Sequence, residues 1–371
     1  MYGFPGFSGV EPADFHTRSS DPVRVAFVVP MQGPTGIFGP SCQACGELAV
    51  EHLNQRSGIG GRPVELVHVD GGREPELVAA EVSELVDSGF VEAIAGWHII
   101  AVQRAILNRV GGRVIYSYPA MHESRDSAPG LFLLGERPVN QLLPAIRWMY
   151  ESRGLKKWAL VGNDYVGPRM SAAVMRGAIA GSAIQLASEQ FVPLGTSRFD
   201  AVIASLKGSD IDGVVMILMG QDAVHFNRQF ARAGLSDTVA RLSSTVEENV
   251  LLGTGADASR GLYSAAAYFD GLATVEGESL AREYYARWGT FAPALNAIGE
   301  SCYESIHFLA HLATVCGGIS PVESGRMKDG HLYLSPRGIM RLEGNRLNQD
   351  VYLAEARGLE FQVEHQISRS A

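Results

Sequence analysis

Apolar positions along the chain fall into short continuous runs that alternate with stretches of three-to-four-residue spacing. The run at Val23–Val29, VRVAFVV, suits a strand buried on both faces. A Gly/Pro-rich loop over 31–38 follows, and a helix starts near Pro40-Ser41, with proline tolerated in the first turn. Cys45, Leu48, Ala49 and Leu53 share one face of this helix, and Gly58 marks its end. The alternation continues. Residues 63–69 read as a strand, Val78, Val82 and Leu85 align on a helix opened by Pro75, and 91–95 read as a strand. Ala105, Ile106 and Val110 then mark a helix stopped by Gly111-Gly112, and 114–118 form a fourth strand.

The same rhythm restarts after about residue 140. Leu142, Leu143, Ile146 and Met149 form a helical stripe ended by Gly154, followed by a strand at 158–161 and a helix carrying Val174 and Ala178. Strands follow at 184–191 and 213–218, with a helix between them that Ser197 would cap, Asp200 completing a short-armed capping box. Phe226, Phe230 and Ala233 mark the next helix, Leu242 closes a short strand, and 262–267 is another. Two α/β sets in one chain predict two parallel, doubly wound sheets with separate cores. The remainder reads differently, with helices over 276–288 and 295–316 and then short β-like pieces at 332–334, 339–342, 351–354 and 361–363. A short third segment after two α/β sets implies that the chain crosses between lobes more than once. The expected division is a tail at 1–22, a first lobe from 23–137 plus 265–330, and a second from 138–264 plus 331–371.

Composition narrows the function. A chain of 371 residues, 46% hydrophobic and 19% charged, is comfortable as two lobes. The formal net charge is −9 and no Lys/Arg run exceeds Lys156-Lys157, which argues against direct nucleic-acid contact. No window of about 18 apolar residues exists, so no membrane insertion is expected. The first 22 residues lack a positively charged stretch leading into an apolar core. The expected compartment is therefore cytoplasmic, or extracytoplasmic if an export signal has been removed. Cys42 and Cys45 form a C-x-x-C at the start of an apolar-striped helix, but no second pair completes a metal set. They read as structural thiols, as do Cys302 and Cys316.

Ligands of open parallel sheets bind beyond the carboxyl ends of the strands. Those ends carry Met31 to Thr35, then Gly96, Trp97 and His98, then Tyr116 to Pro119. In the second set they carry Gly162 to Tyr165, Ser243-Ser244-Thr245, and Tyr268 to Asp270. Aromatics and hydroxyls dominate, a composition that stacks on and hydrogen-bonds a small organic molecule. Any single Tyr or Trp is more readily a half-buried core residue; the joint placement is what suggests a site. Enzyme signatures are missing: there is no G-x-G-x-x-G after the first strand, no P-loop and no G-x-S-x-G elbow. Glu247-Glu248 could serve as acid/base carboxylates, although at least one is expected to be solvated near a helix N-terminus. His98 and His122 could share a ligand or a metal, but no third group stands at ligand spacing.

The segments PMQGPTGIFGPSCQACGELAV, YSYPA, GNDYVGPR, LSSTVEENV and SPRGIMRLEGNRLNQDVYLAEARG occur in this order. Together they resemble type I periplasmic-binding-fold proteins over about residues 23 to 365. The branch suggested holds amide-sensing regulators of amidase operons and the urea or short-chain-amide binding proteins of ABC transporters, with branched-chain amino-acid receptors more distant. The resemblance implies an α/β fold of two Rossmann-like lobes with parallel sheets, joined by three crossovers and closing about a hinge on a ligand, without a cofactor or metal. Carried over by residue, the site comprises His98 and Ile100, Tyr118 and Ala120, Tyr165, Ser244 and Thr245, and Tyr268, with Trp97 in the same pocket and no catalytic group. Relatives often carry Ser where Ile100 stands and Thr where Ala120 stands. A buried polar ligand group left without its partner costs about 1–3 kcal/mol, so the expected ligand is larger or less polar than acetamide or urea, with an aromatic or acyl part. The implied macromolecular partner is an ABC permease or a regulatory protein; a homo-oligomer is compatible with the sequence. The rival expectation is an enzyme using Asp164, His98 or Glu248 in the same cleft.

Overall fold

The computed structural model describes residues 21–122 and 127–368. Most of the expected tail, 1–20, lies outside the described residues. The first lobe is built from β1 (Val23–Val29), α1 (Gly39–Asn54), β2 (Val64–Asp70), α2 (Pro75–Asp87), β3 (Ala93–Ala95), α3 (Ile100–Val110), β4 (Ile115–Tyr118) and β5 (Leu131–Leu133). The second lobe comprises α4 (Pro138–Arg153), β6 (Lys157–Asn163), α5 (Val166–Ile179), β7 (Gln185–Val192), α6 (Asp200–Lys207), β8 (Gly213–Ile217), α7 (Gln221–Arg232), β9 (Ala240–Ser243), α8 (Glu248–Thr254) and β10 (Leu262–Ala266). The chain then returns through α9 (Val275–Trp288), α10 (Ala297–Cys316) and α11 (Pro321–Ser324), and finishes with β11 (Leu332–Ser335), β12 (Gly338–Glu343), β13 (Arg346–Asn348), β14 (Val351–Arg357) and β15 (Glu360–Ser368).

Two sheets result, ordered β11-β12-β13-β5-β4-β3-β1-β2 and β15-β14-β10-β9-β8-β6-β7. Their centres are parallel, as the near-continuous apolar strands require, because helices cover both faces. Antiparallel strands extend each sheet at one edge: β11 and β12 in the first, β14 and β15 in the second. Among the described residues the chain crosses between the lobes three times, at 134–137, 267–274 and 349–350.

The expected division differs slightly at 265, since β10 of the second sheet runs to Ala266, and fails at the last boundary. Residues 332–348 belong to the first sheet, where β13 pairs with β5, and not to the second lobe. The physical reason lies beneath the β11–β12 turn. Arg337 is fully buried there against Glu300 and Glu304 of α10, and Tyr333, Met340 and Leu342 pack into the first core. Other differences are local. Ser197 does not cap α6; the N-cap is Phe199, whose side chain makes no cap bond. The helix α1 ends at Asn54, short of Gly58. The strands β5 and β13 are three residues each, too short to show a period in the sequence.

Helix α1 lies on β1 and against α10. A Cβ at Gly46 would stand 2.5 Å from Cζ of Phe27, so only glycine lets helix and strand approach this closely. Cys42, Cys45, Cys302 and Cys316 are buried free thiols. Burial pushes the Cys42 and Cys45 thiols upward, as befits small apolar packing groups rather than reactive ones.

Candidate ligand-binding cleft

The carboxyl ends of β3 and β4 face those of β6, β8 and β9 across the gap between the lobes. The cavity there has about 780 Å³ of space between protein atoms.

Lobe one contributes Trp97, His98, Ile99 and Ile100 from the β3–α3 turn, and Tyr118 to His122 from the segment after β4. Trp97 packs edge-tilted on Phe38 at 5.3 Å between ring centroids. His98 lines the wall but its polar atoms are engaged. Its Nδ1 meets the Val28 carbonyl at 3.0 Å, which can only accept, so Nδ1 carries the proton and Nε2 accepts from the Tyr116 hydroxyl. Burial holds the imidazole down to about 4, so it is neutral at pH 7. The Tyr118 hydroxyl donates to the His98 carbonyl at 2.9 Å. These bonds fix the aromatic wall rather than offer chemistry to a substrate.

Lobe two contributes Tyr165, Gly167 and Met170 from the start of α5, Ile217 and Met219 from the end of β8, and Ser244, Thr245 and Glu247 after β9. The Thr245 hydroxyl is spent on the Leu218 carbonyl at 2.9 Å. The buried Ser244 Oγ has no partner among the described residues. Two helices open at the cavity without side-chain caps: α3, preceded by Ile99, and α5, preceded by Tyr165. Their first N–H groups have no intrahelical acceptor and carry the positive end of each helix dipole.

Eight of the nine residues expected at the site, Trp97, His98, Ile100, Tyr118, Ala120, Tyr165, Ser244 and Thr245, line this one cavity. Tyr268 does not; it is fully buried behind it, with no partner for its hydroxyl among the described residues. Sequence reasoning missed Glu136 at the first crossover, Gln141 in the first turn of α4, and Ala297, Ile298 and Ser301 at the start of α10. Asn296, which caps α10 through Gly299 N, was the readable signal for that last group.

The expectation of a solvated Glu in the 247–248 pair is overturned, since both side chains are buried. Glu247 Oε2 accepts from Ala297 N at 2.9 Å, tying lobe two to the start of α10. Burial first, then the charges of Glu248 and Glu136, push its carboxyl well above the usual range. Burial drives Glu248 up to about 8, and its Oε1 accepts from Asp270 N at 3.0 Å. Asp164 stands at the surface, paired with Arg169, and does not line the cavity. Among the described residues, no group of three His, Cys, Asp or Glu could hold a metal ion.

Two lobes with parallel-sheet cores, three crossovers and an aromatic-walled cavity at the strand ends define a two-lobed binding-protein fold. The chain belongs to the periplasmic binding protein family, whose profile matches residues 22–360. Among curated proteins it is similar to Leu/Ile/Val-binding protein homolog 3 of Brucella melitensis biotype 1, 23% identical over 218 residues; the match covers 57% of this chain and 56% of that relative's length. Among solved structures it is similar to the solute-binding protein of an ABC transporter from R. palustris in complex with benzoate, with TM-score 0.81, 18% identity, and coverage of 94% of this chain and 97% of that one. It is also similar to the branched-chain amino acid transporter substrate-binding protein LivJ from Streptococcus pneumoniae in complex with isoleucine, with TM-score 0.78, 17% identity, and coverage of 93% and 99%. At these identities the likeness speaks to the fold.

Proposed function

We propose that this chain is the solute receptor of an ABC-type importer. Its solute is a compact, largely apolar carboxylic acid, aromatic or branched, held between the lobes and handed on unchanged to a permease. The observation that carries this reading is the meeting of two uncapped helix starts, α3 and α5, at a cavity walled by Trp97, Ile100, Ala120, Met121, Ile217 and Met219. Backbone N–H groups at helix N-termini receive a carboxylate, and the apolar walls receive the body of the molecule. Ser244 Oγ adds a hydroxyl from the second lobe, so only a closed molecule satisfies both halves of the ligand. Acetamide and urea lack the apolar body these walls fit. The benzoate and isoleucine held by the similar proteins have both an apolar body and a carboxylate.

A receptor is favoured over an enzyme because both ring nitrogens of His98 are held by Val28 and Tyr116, and one oxygen of Glu247 is held by Ala297 N. One observation supports a narrower second reading, an α-amino acid: the carboxyl groups of Glu136 and Glu247 line the same cavity and could face an ammonium group. Calorimetry with benzoate, isoleucine and acetamide separates the readings. Benzoate bound more tightly than isoleucine, and recovered unchanged, supports the first. Isoleucine alone supports the second. Tight acetamide binding with neither acid bound, or chemical conversion of a bound acid, refutes both.

A further inference from the structure

The Gly/Pro-rich turn after β1 plays no part in the cavity, yet it reaches across to the second lobe. Pro34 O accepts from Gln221 N, the first residue of α7, at 2.9 Å. Ile37 O accepts from Asn249 Nδ2, on α8, at 2.9 Å. The receiving surface requires glycine at one point, Gly220, and has Gly195 and Gly253 close beside the turn. Gly220 has φ 47°, a left-handed conformation that favours glycine, and a Cβ there would overlap Pro34 O. A Cβ at Gly195 would stand 3.6 Å from Pro34 Cγ, and one at Gly253 3.7 Å from Ile37 Cδ1.

Both sides of this contact are held in shape before they meet. On lobe one, Asp70 accepts from Met31 N and Gln32 Nε2, and Phe38 N closes the turn on Thr35 O. On lobe two, the buried Asp222 carboxylate gathers Asn163 Nδ2, Gly195 N and Thr196 N at 2.7, 2.9 and 3.1 Å. Asn163 Oδ1 in turn accepts from Met219 N, one residue before Gly220. Rigid, complementary faces lose little freedom when they join.

We propose that the turn at 33–38 is a clasp that holds the lobes together without ligand, and that Asn249 is its positioning residue. The clasp keeps part of the empty population closed and sets the rate at which solute leaves. Its use in capture rests on the receptor reading, but its geometry involves no ligand atom, so the two can fail separately. Asn249 Oδ1 also accepts from Val250 N. Asn249→Asp keeps that acceptor and the shape but cannot donate to Ile37 O, whereas Asn249→Ala loses both.

The test is small-angle scattering of the ligand-free protein, with benzoate dissociation by stopped flow as a second readout. Both Asn249 variants should show a larger radius of gyration than the wild type. Benzoate should leave about 3–10-fold faster, the worth of one hydrogen bond, while its association rate changes less than about twofold. Ile37→Ala, which removes the side chain facing Gly220 and Gly253 of the other lobe, should open the empty protein as well. Unchanged scattering in all three variants overturns the clasp. So does an effect confined to Asn249→Ala, because that pattern belongs to the Val250 bond alone. Open variants with no benzoate bound by any form would uphold the clasp and refute the ligand class.

Discussion

Arg337 offers the sharpest stability test. It sits at the β11–β12 turn with its side chain fully buried, its Nη2 bonding Glu304 Oε1 at 2.6 Å and its Nε bonding Glu304 Oε2 at 3.0 Å. Nε also lies 3.1 Å from Glu300 Oε2 and Nη1 lies 3.3 Å from Glu136 Oε1. One cation thus serves three carboxyl groups, all buried or nearly so. Burial, only partly offset by Arg337, already pushes Glu300 well above the ordinary range. Replacing Arg337 by Met keeps much of the volume and removes the only cation of the cluster among the described residues. Breaking a buried pair by deleting one partner costs about 3–5 kcal/mol, because the other charge stays behind without compensation. For a chain of 371 residues, with an unfolding entropy of about 2.1 cal/mol/K per residue, that is a drop in melting temperature of roughly 4–6 °C. The deficit should narrow as pH falls from 8 to 5, since carboxyls left without the cation take up protons. It should also narrow in the double variant with Glu304→Gln. Glu136 Oε1 further accepts from Ala267 N at 3.0 Å, joining the first crossover to the second, so solute affinity should weaken together with stability. The assay is calorimetric unfolding of the wild type, Arg337→Met and the double variant at pH 5, 6.5 and 8. A loss under about 1 kcal/mol at pH 8, or a deficit independent of pH, refutes the reasoning.

Glu248 makes stability fall with rising pH. Its folded value of about 8 lies above the ordinary 4.5, so its contribution is fully present below pH 4.5 and is lost as pH rises through about 8. The gap corresponds to on the order of 5 kcal/mol at most, and Glu248→Gln should show a smaller fall in melting temperature between pH 5 and 8 than the wild type; equal falls would contradict the buried neutral acid. Ile100→Ser restores a hydroxyl at the start of α3 and removes an apolar wall, so the preference for benzoate over acetamide should shrink about tenfold, about 1.5 kcal/mol, as measured by calorimetry. An unchanged ratio would show that Ile100 does not set selectivity. Gly46→Ala should gain about 1 kcal/mol of helix propensity yet lose about 1–3 kcal/mol to the clash with Phe27; urea unfolding showing a net gain would disprove the tight α1–β1 contact.

The sequence by itself determined the local elements and the grouping of the wall. Short continuous apolar runs bounded by turn residues read as strands buried on both faces, and the turns that follow them collect where the strands of a parallel sheet end. Trp97, Tyr118, Tyr165 and Ser244 share one cavity for that reason, although more than 140 positions separate the first from the last. What the tertiary structure decided were pairings that no local pattern encodes. Strands β11 to β13 joined the first lobe because a buried Arg337 needs the acids of α10, a long-range electrostatic demand that a short apolar run does not display. Tyr268 turned away from the cavity and Glu136 turned toward it because each follows the path of a crossover. The closed contact of the 33–38 turn with Gly220 and Asn249 depends on two separately folded surfaces fitting each other, a matter of shape between lobes rather than of periodicity within either.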